Sequence, residues 1–140
     1  MNAMIRNALL ATLPLLAACA TPQAVAGVEP GSDPNRPLTT WTFVSIDGQK
    51  PASDKAELRI YEKRISATVG CNGLGGDLKM VPGRLKVGPI ISTQMYCEGL
   101  MEQERAVAEL LGASPAFFIE NGRMSIRSDK HVAELVRKSD

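Results

Sequence analysis

The chain has 140 residues, with 16 basic against 15 acidic side chains, 44% hydrophobic residues and 4% aromatics. That length fits a single domain with a substantial core. An even charge balance and so few aromatics argue against the basic, base-stacking surface of a nucleic-acid binder, and no acidic surplus points to a basic partner.

The first 18 residues read as a leader. Arg6 supplies the positive start, Ala8 to Leu16 form an apolar run, and Ala17 and Ala18 are the small residues that suit a peptidase. The run is too short to span a bilayer, which takes about 20 residues as a helix. Leu16-Ala17-Ala18-Cys19 resembles a bacterial lipobox, in which the cysteine is acylated and the chain is cut just before it. Cys19 is therefore the expected lipidation site, and its acyl chains, diacylglycerol and an amide-linked palmitate, the expected contact with the membrane. Ala20 in the next position resembles the pattern of outer-membrane lipoproteins. The expected location is the bacterial cell envelope, lipid-anchored on the outer membrane and facing the periplasm. Residues 19–37 follow as a flexible tether, with Pro22, Pro30, Pro34 and Pro37 among Gly27 and Gly31.

From Leu38 onward short apolar runs alternate with turn dipeptides. Trp41 to Ile46 predicts a strand stopped by Asp47-Gly48. Ala56, Leu58 and Ile60 alternate with polar residues, as do Ile65, Ala67 and Val69, with Glu62-Lys63 as the hairpin link. Leu78 and Met80 lead into the turn Pro82-Gly83, and Leu85 and Val87 continue beyond it. Glu98 to Leu111 breaks this rhythm. Leu100, Val107 and Leu111 recur near the helical period, acids crowd the early turns, and Gly112 is the expected C-cap. Phe117 to Ile119, the hairpin signal Asn121-Gly122, Met124 and Ile126, and Val132 to Val136 complete the set. The fold expected is α+β: a curved, mostly antiparallel sheet, a partly open barrel, wrapped around one helix.

These residues resemble a known family. Trp41, then Gly70-Cys71-Asn72 with Gly76, then Thr93-x-Met95-x-Cys97, then Glu104 with Leu110-Leu111, and Gly122 before Met124 are similar to the META domain, also called the heat-shock-protein HslJ type. The likeness runs over residues 38–137. It implies an antiparallel β-structure around one helix, similar in shape to secretin pilot lipoproteins, with no established catalytic activity and loose ties to envelope stress, drug tolerance and secretion. Leu74 stands where the family usually has an aromatic.

The two remaining cysteines, Cys71 and Cys97, either form a disulfide, the expected state in an exported protein, or remain two buried thiols. A bridge between them would close a loop of about 26 residues, worth about 3 to 3.5 kcal/mol in the chain-entropy picture. The glycine-rich run Gly70 to Gly76 matches no phosphate-loop pattern, so its glycines are expected to serve a bend or bulge with positive φ, which Asn72 also tolerates. Glu104 is expected to hydrogen-bond a loop, such as backbone donors around that turn. His131, the only histidine, is expected on the solvated surface. Of the adjacent pair Phe117-Phe118, one must point away from the core, which would mark a contact surface. No nucleophile–base pair and no metal-ligand spacing is legible, so no catalytic residue, metal or cofactor is expected. The functional expectation is a non-enzymatic protein-binding or chaperone-like module in envelope stress tolerance, with an envelope protein as partner and no nucleic acid. The alternative is a carrier of a lipid or small apolar ligand.

Overall fold

The computed structural model describes residues 33–139. The expected leader, Cys19 and most of the expected tether therefore lie outside the described residues. Nine strands and one helix follow in the order β1 (Thr39–Ile46), β2 (Glu57–Ile60), β3 (Arg64–Thr68), β4 (Gly73–Val81), β5 (Arg84–Val87), β6 (Ile91–Ser92), α1 (Met101–Gly112), β7 (Ala116–Glu120), β8 (Arg123–Arg127) and β9 (Val132–Arg137).

All pairings are antiparallel, and the sheet runs β3-β2-β1-β9-β8-β7-β5-β4, with β3 pairing back onto β4. That last pairing corrects the partly open sheet to a closed eight-strand barrel, mostly β with a single helix rather than an α+β sheet with free edges. Closure removes the unpaired N–H and C=O rows that an open sheet would present. The short β6 adds onto the start of β4, with Leu74 opposite Ser92 and Gly75 opposite Ile91. The seam between β5 and β7 is narrow, registered only at Arg84 opposite Ala116.

Turn chemistry places the strands. Asn121 and Gly122 both take positive φ, 50° and 75°, as a two-residue hairpin turn requires. Asp47 and Gly48 do the same at 51° and 77°. Alternation then sends Trp41, Phe43, Leu58, Ile60, Ile65, Leu85, Met124, Ile126 and Leu135 inward. A register shift between Phe43 and Ser45 bends β1 against β9.

The helix packs against β1 and β5, which lie on opposite sides of the ring, so it crosses the barrel and plugs it. Its buried face is Glu104, Ala106, Val107, Leu110 and Leu111, and the apolar members join the same core cluster as the strands. Two local expectations change. Gly112 is still helical, and the chain leaves through Ala113 to Ser114, which takes the left-handed φ of 51°. The glycine-rich run belongs mostly to strand β4 instead of a turn, and only Gly70 within it has positive φ, 115°.

Candidate functional site

Of the family-motif residues, Gly70, Asn72, Thr93, Met95 and Glu104 lie at one end of the barrel, where the β3–β4 loop, the β6–α1 connection and the first turns of α1 meet. Asn72, 2% exposed, is the centre. Its side-chain amide donates to Glu104 Oε1 at 2.6 Å and to the Met95 carbonyl at 2.9 Å. Its carbonyl oxygen accepts from Thr93 Oγ1 at 2.9 Å and from the Met95 N–H at 2.8 Å. Every hydrogen-bonding position of the amide is thus used. Glu104, 6% exposed, accepts a second bond from the Asn72 backbone N–H at 2.9 Å through Oε2. The Thr93 hydroxyl also accepts from Gly73 N–H at 3.1 Å. A disulfide joins Cys71 to Cys97 beside this network, with Cα atoms 5.9 Å apart.

Two glycines permit the assembly. At Gly70 a Cβ would sit 2.5 Å from Ser53 Cβ, on a backbone whose φ already excludes most side chains. At Gly76 a Cβ would press on the Pro89 and Gly88 carbonyls at 3.2 and 3.3 Å. Trp41 stands apart from the network, 2% exposed in the core with its indole N–H on Thr39 Oγ1 at 3.0 Å. Leu74, at the family's aromatic position, is likewise a core residue at 3% exposure.

His131 departs from the solvated role expected of it. Its side chain is 18% exposed and lies between two carboxylates, Asp47 Oδ2 at 2.8 Å from Nδ1 and Glu109 Oε2 at 3.1 Å from Nε2. Hydrogen bonds to Asp47 and then Glu109 raise its pKa above 6.5 against the opposing effect of desolvation. Desolvation pushes Asp47 up, but the Val132 N–H and His131 outweigh it and leave the carboxyl below 3.8. The β1–β2 turn, α1 and the β8–β9 loop are thereby tied through one ring. No local spacing announces this cluster, because its members come from three distant segments. Gln103 makes a parallel tie, accepting from Ala52 N–H at 2.8 Å and donating to the Lys50 carbonyl at 2.9 Å.

This arrangement fastens loops; it presents no nucleophile with an adjacent base. Among the described residues, no group of three or more His, Cys, Asp or Glu is arranged to hold a metal ion. Beside polar Gln94 and Glu98, the arrangement exposes large apolar side chains. Ile91 on β6 is 78% exposed, and the fastened β6–α1 connection displays Met95 at 57% and Tyr96 at 80% exposure. On β7, Phe117 packs against the core and Phe118 points outward, 64% exposed.

A closed antiparallel barrel, plugged by a helix whose buried glutamate grips an Asn on the β3–β4 loop, defines a class of small β-barrel domain. The family model of the META domain matches residues 36–140, and the chain belongs to that family. Two proteins solved by NMR have the same fold. One aligns with a TM-score of 0.62 at 23% identity, over 70% of this chain and 87% of the other. The second, from Burkholderia xenovorans, aligns with a TM-score of 0.58 at 19% identity, over 73% and 83%. At such identities the likeness is one of fold alone. No curated protein matches the chain.

Proposed function

We propose that this chain is an envelope lipoprotein, held on the outer membrane by acyl chains on Cys19. Its META domain is a non-enzymatic, chaperone-like module that binds another envelope protein in stress tolerance. The observation that carries the reading is the apolar display of Met95 and Tyr96 on a connection locked by Asn72 and the disulfide, with Ile91 exposed on the adjoining β6. Large apolar groups on a rigid support lose little conformational entropy on binding, and such exposed sets mark interaction sites. The carrier reading ranks second, because the barrel interior is filled: Leu85, Leu110, Leu111, Met124, Ile126 and Leu135 are all at 0% exposure.

The test is photo-crosslinking in cells from position 96, with position 62 at the opposite end of the barrel as control. A discrete protein adduct from 96 alone supports the reading. Equal adducts from both positions, or lipid as the only adduct, would overturn it. Mass spectrometry of the Cys19 peptide tests the anchor separately: a free thiol there removes the lipoprotein part.

A further inference from the structure

The outer wall of the barrel is electrically uneven. On β8, β7, β5 and β4 the outward positions include Arg123, Arg127, Arg84, Lys86 and Lys79, all exposed. Among the described residues, none of these forms a salt bridge. Two placements work against stability. Lys79 and Lys86 stand directly opposite each other, a like-charge pair that an antiparallel ladder disfavours. Arg84 and Arg127 flank the small Ala116 in one row across three strands, so their backbones are only about 10 Å apart. The acids on this wall sit beside their own basic neighbours, Asp77 opposite Arg64 and Glu120 opposite Arg123. The remaining wall is different: on β2, Glu57 pairs with Arg59 and with Lys138.

Amid this basic face stands one aromatic. Phe118 faces Ser125 across the ladder, with Arg123 and Arg127 on the two diagonals. A phenyl ring with an arginine on each diagonal suits a surface with anionic phosphates above an apolar layer. The arginines match phosphate geometry, and the ring enters the interface.

We propose that the β8–β7–β5–β4 wall is the face with which this domain lies on an anionic phospholipid bilayer. The inference rests on the lipid-anchor reading for its biological setting, because the anchor then keeps the domain close to a membrane surface. At that range a weak electrostatic contact becomes an intramolecular one. The contact turns a defined side of the barrel to the lipid.

The test uses the chain from residue 19 to residue 140 with Cys19→Ser, so that no acyl chain contributes. Its co-flotation is measured with vesicles of phosphatidylglycerol and phosphatidylethanolamine, and with phosphatidylcholine alone. Partition into the anionic vesicles is expected, falling steeply with salt. Each basic residue removed should weaken it about fivefold, so the triple change Lys79→Gln, Arg84→Gln and Lys86→Gln should weaken it about a hundredfold. Phe118→Ala should weaken it several-fold without changing the salt dependence. Thermal melting of each variant checks that the exposed changes leave the fold intact. Equal binding to both vesicle types, no binding to either, or the same loss from Arg59→Gln on the other wall would overturn the proposal. So would capture of an acidic protein by this wall with no vesicle binding. Failure of the anchor reading appears elsewhere, as an unmodified Cys19 in cells.

Discussion

Replacing Asn72 by Ala should be among the most damaging single changes in this domain. The substitution leaves the backbone bond from Asn72 N–H to Glu104 in place and deletes four side-chain hydrogen bonds. Thr93 and Met95 lie on an exposed connection where water can replace the lost partner, so each of their bonds is worth about 0.5 to 1 kcal/mol. Glu104 Oε1 is different. It is buried and loses a charge-assisted bond of 2.6 Å, worth about 1.5 to 3 kcal/mol. The total is about 3 to 6 kcal/mol. For a domain of this size, that is a fall in Tm of at least about 12 °C. The assay is urea and thermal unfolding followed by circular dichroism, under oxidising conditions so that the disulfide stays constant. Glu104→Gln is the companion: it keeps one acceptor but points a donor at Asn72, so it should lose about 1.5 to 3 kcal/mol. Stability within about 0.5 kcal/mol of the parent for Asn72→Ala would refute the idea that this network holds the loops. An unchanged Glu104→Gln would show that the carboxylate has no special part.

Three further outcomes follow from the same geometry. The Cys71→Ser, Cys97→Ser pair should lower stability by about 3 to 3.5 kcal/mol, read as the difference between oxidised parent and variant. Because bridge and Asn72 fasten the same connection, the triple variant should depart from additivity by more than about 0.5 kcal/mol in a double-mutant cycle. Gly70→Ala should destabilise by about 2 to 4 kcal/mol, and Ser53→Gly should restore only part, since the clash is relieved but the positive φ remains. His131 has a raised pKa, so its stabilising contribution is complete below 6.5 and is lost as pH rises through the folded value. Asp47 is lowered, so its contribution is present above 3.8 and lost as pH falls through the folded value. The stability difference between parent and His131→Gln should therefore be largest near pH 5 to 6 and shrink toward pH 9. A difference that is flat with pH would show that the ring acts only by packing.

Local order is legible in the sequence alone. The 2-residue alternation of Leu58 and Ile60, and of Ile65 and Ala67, follows directly from strand geometry, and the dipeptides Asp47-Gly48 and Asn121-Gly122 announce positive φ by composition. The adjacent pair Phe117-Phe118 cannot both face inward from one strand, and Phe118 is the outward one. The resemblance carried by Gly70-Cys71-Asn72 and Thr93-x-Met95-x-Cys97 points to the same family that the whole-domain match establishes.

Tertiary structure decided the rest. Closure depends on the pairing of β3 with β4 and on the single-residue seam between Arg84 and Ala116, and neither leaves a trace in hydrophobic pattern, because periodicity reports the face of a strand and never its neighbours. The glycine-rich run is ambiguous for a related reason: glycine permits both turns and tight strand crossings, and only the approach of Gly88 and Pro89 to Gly76 selects the second. His131 shows the limit most plainly. As a residue in sequence it has Lys130 for a neighbour and no visible task, while in space it bridges carboxylates from Asp47 and Glu109. Local propensity, turn chemistry and the family motif are properties of short segments and so belong to the sequence. Strand neighbours, the uneven charge of the wall and the clamp at His131 arise from residues far apart in the chain, and only the folded barrel brings them together.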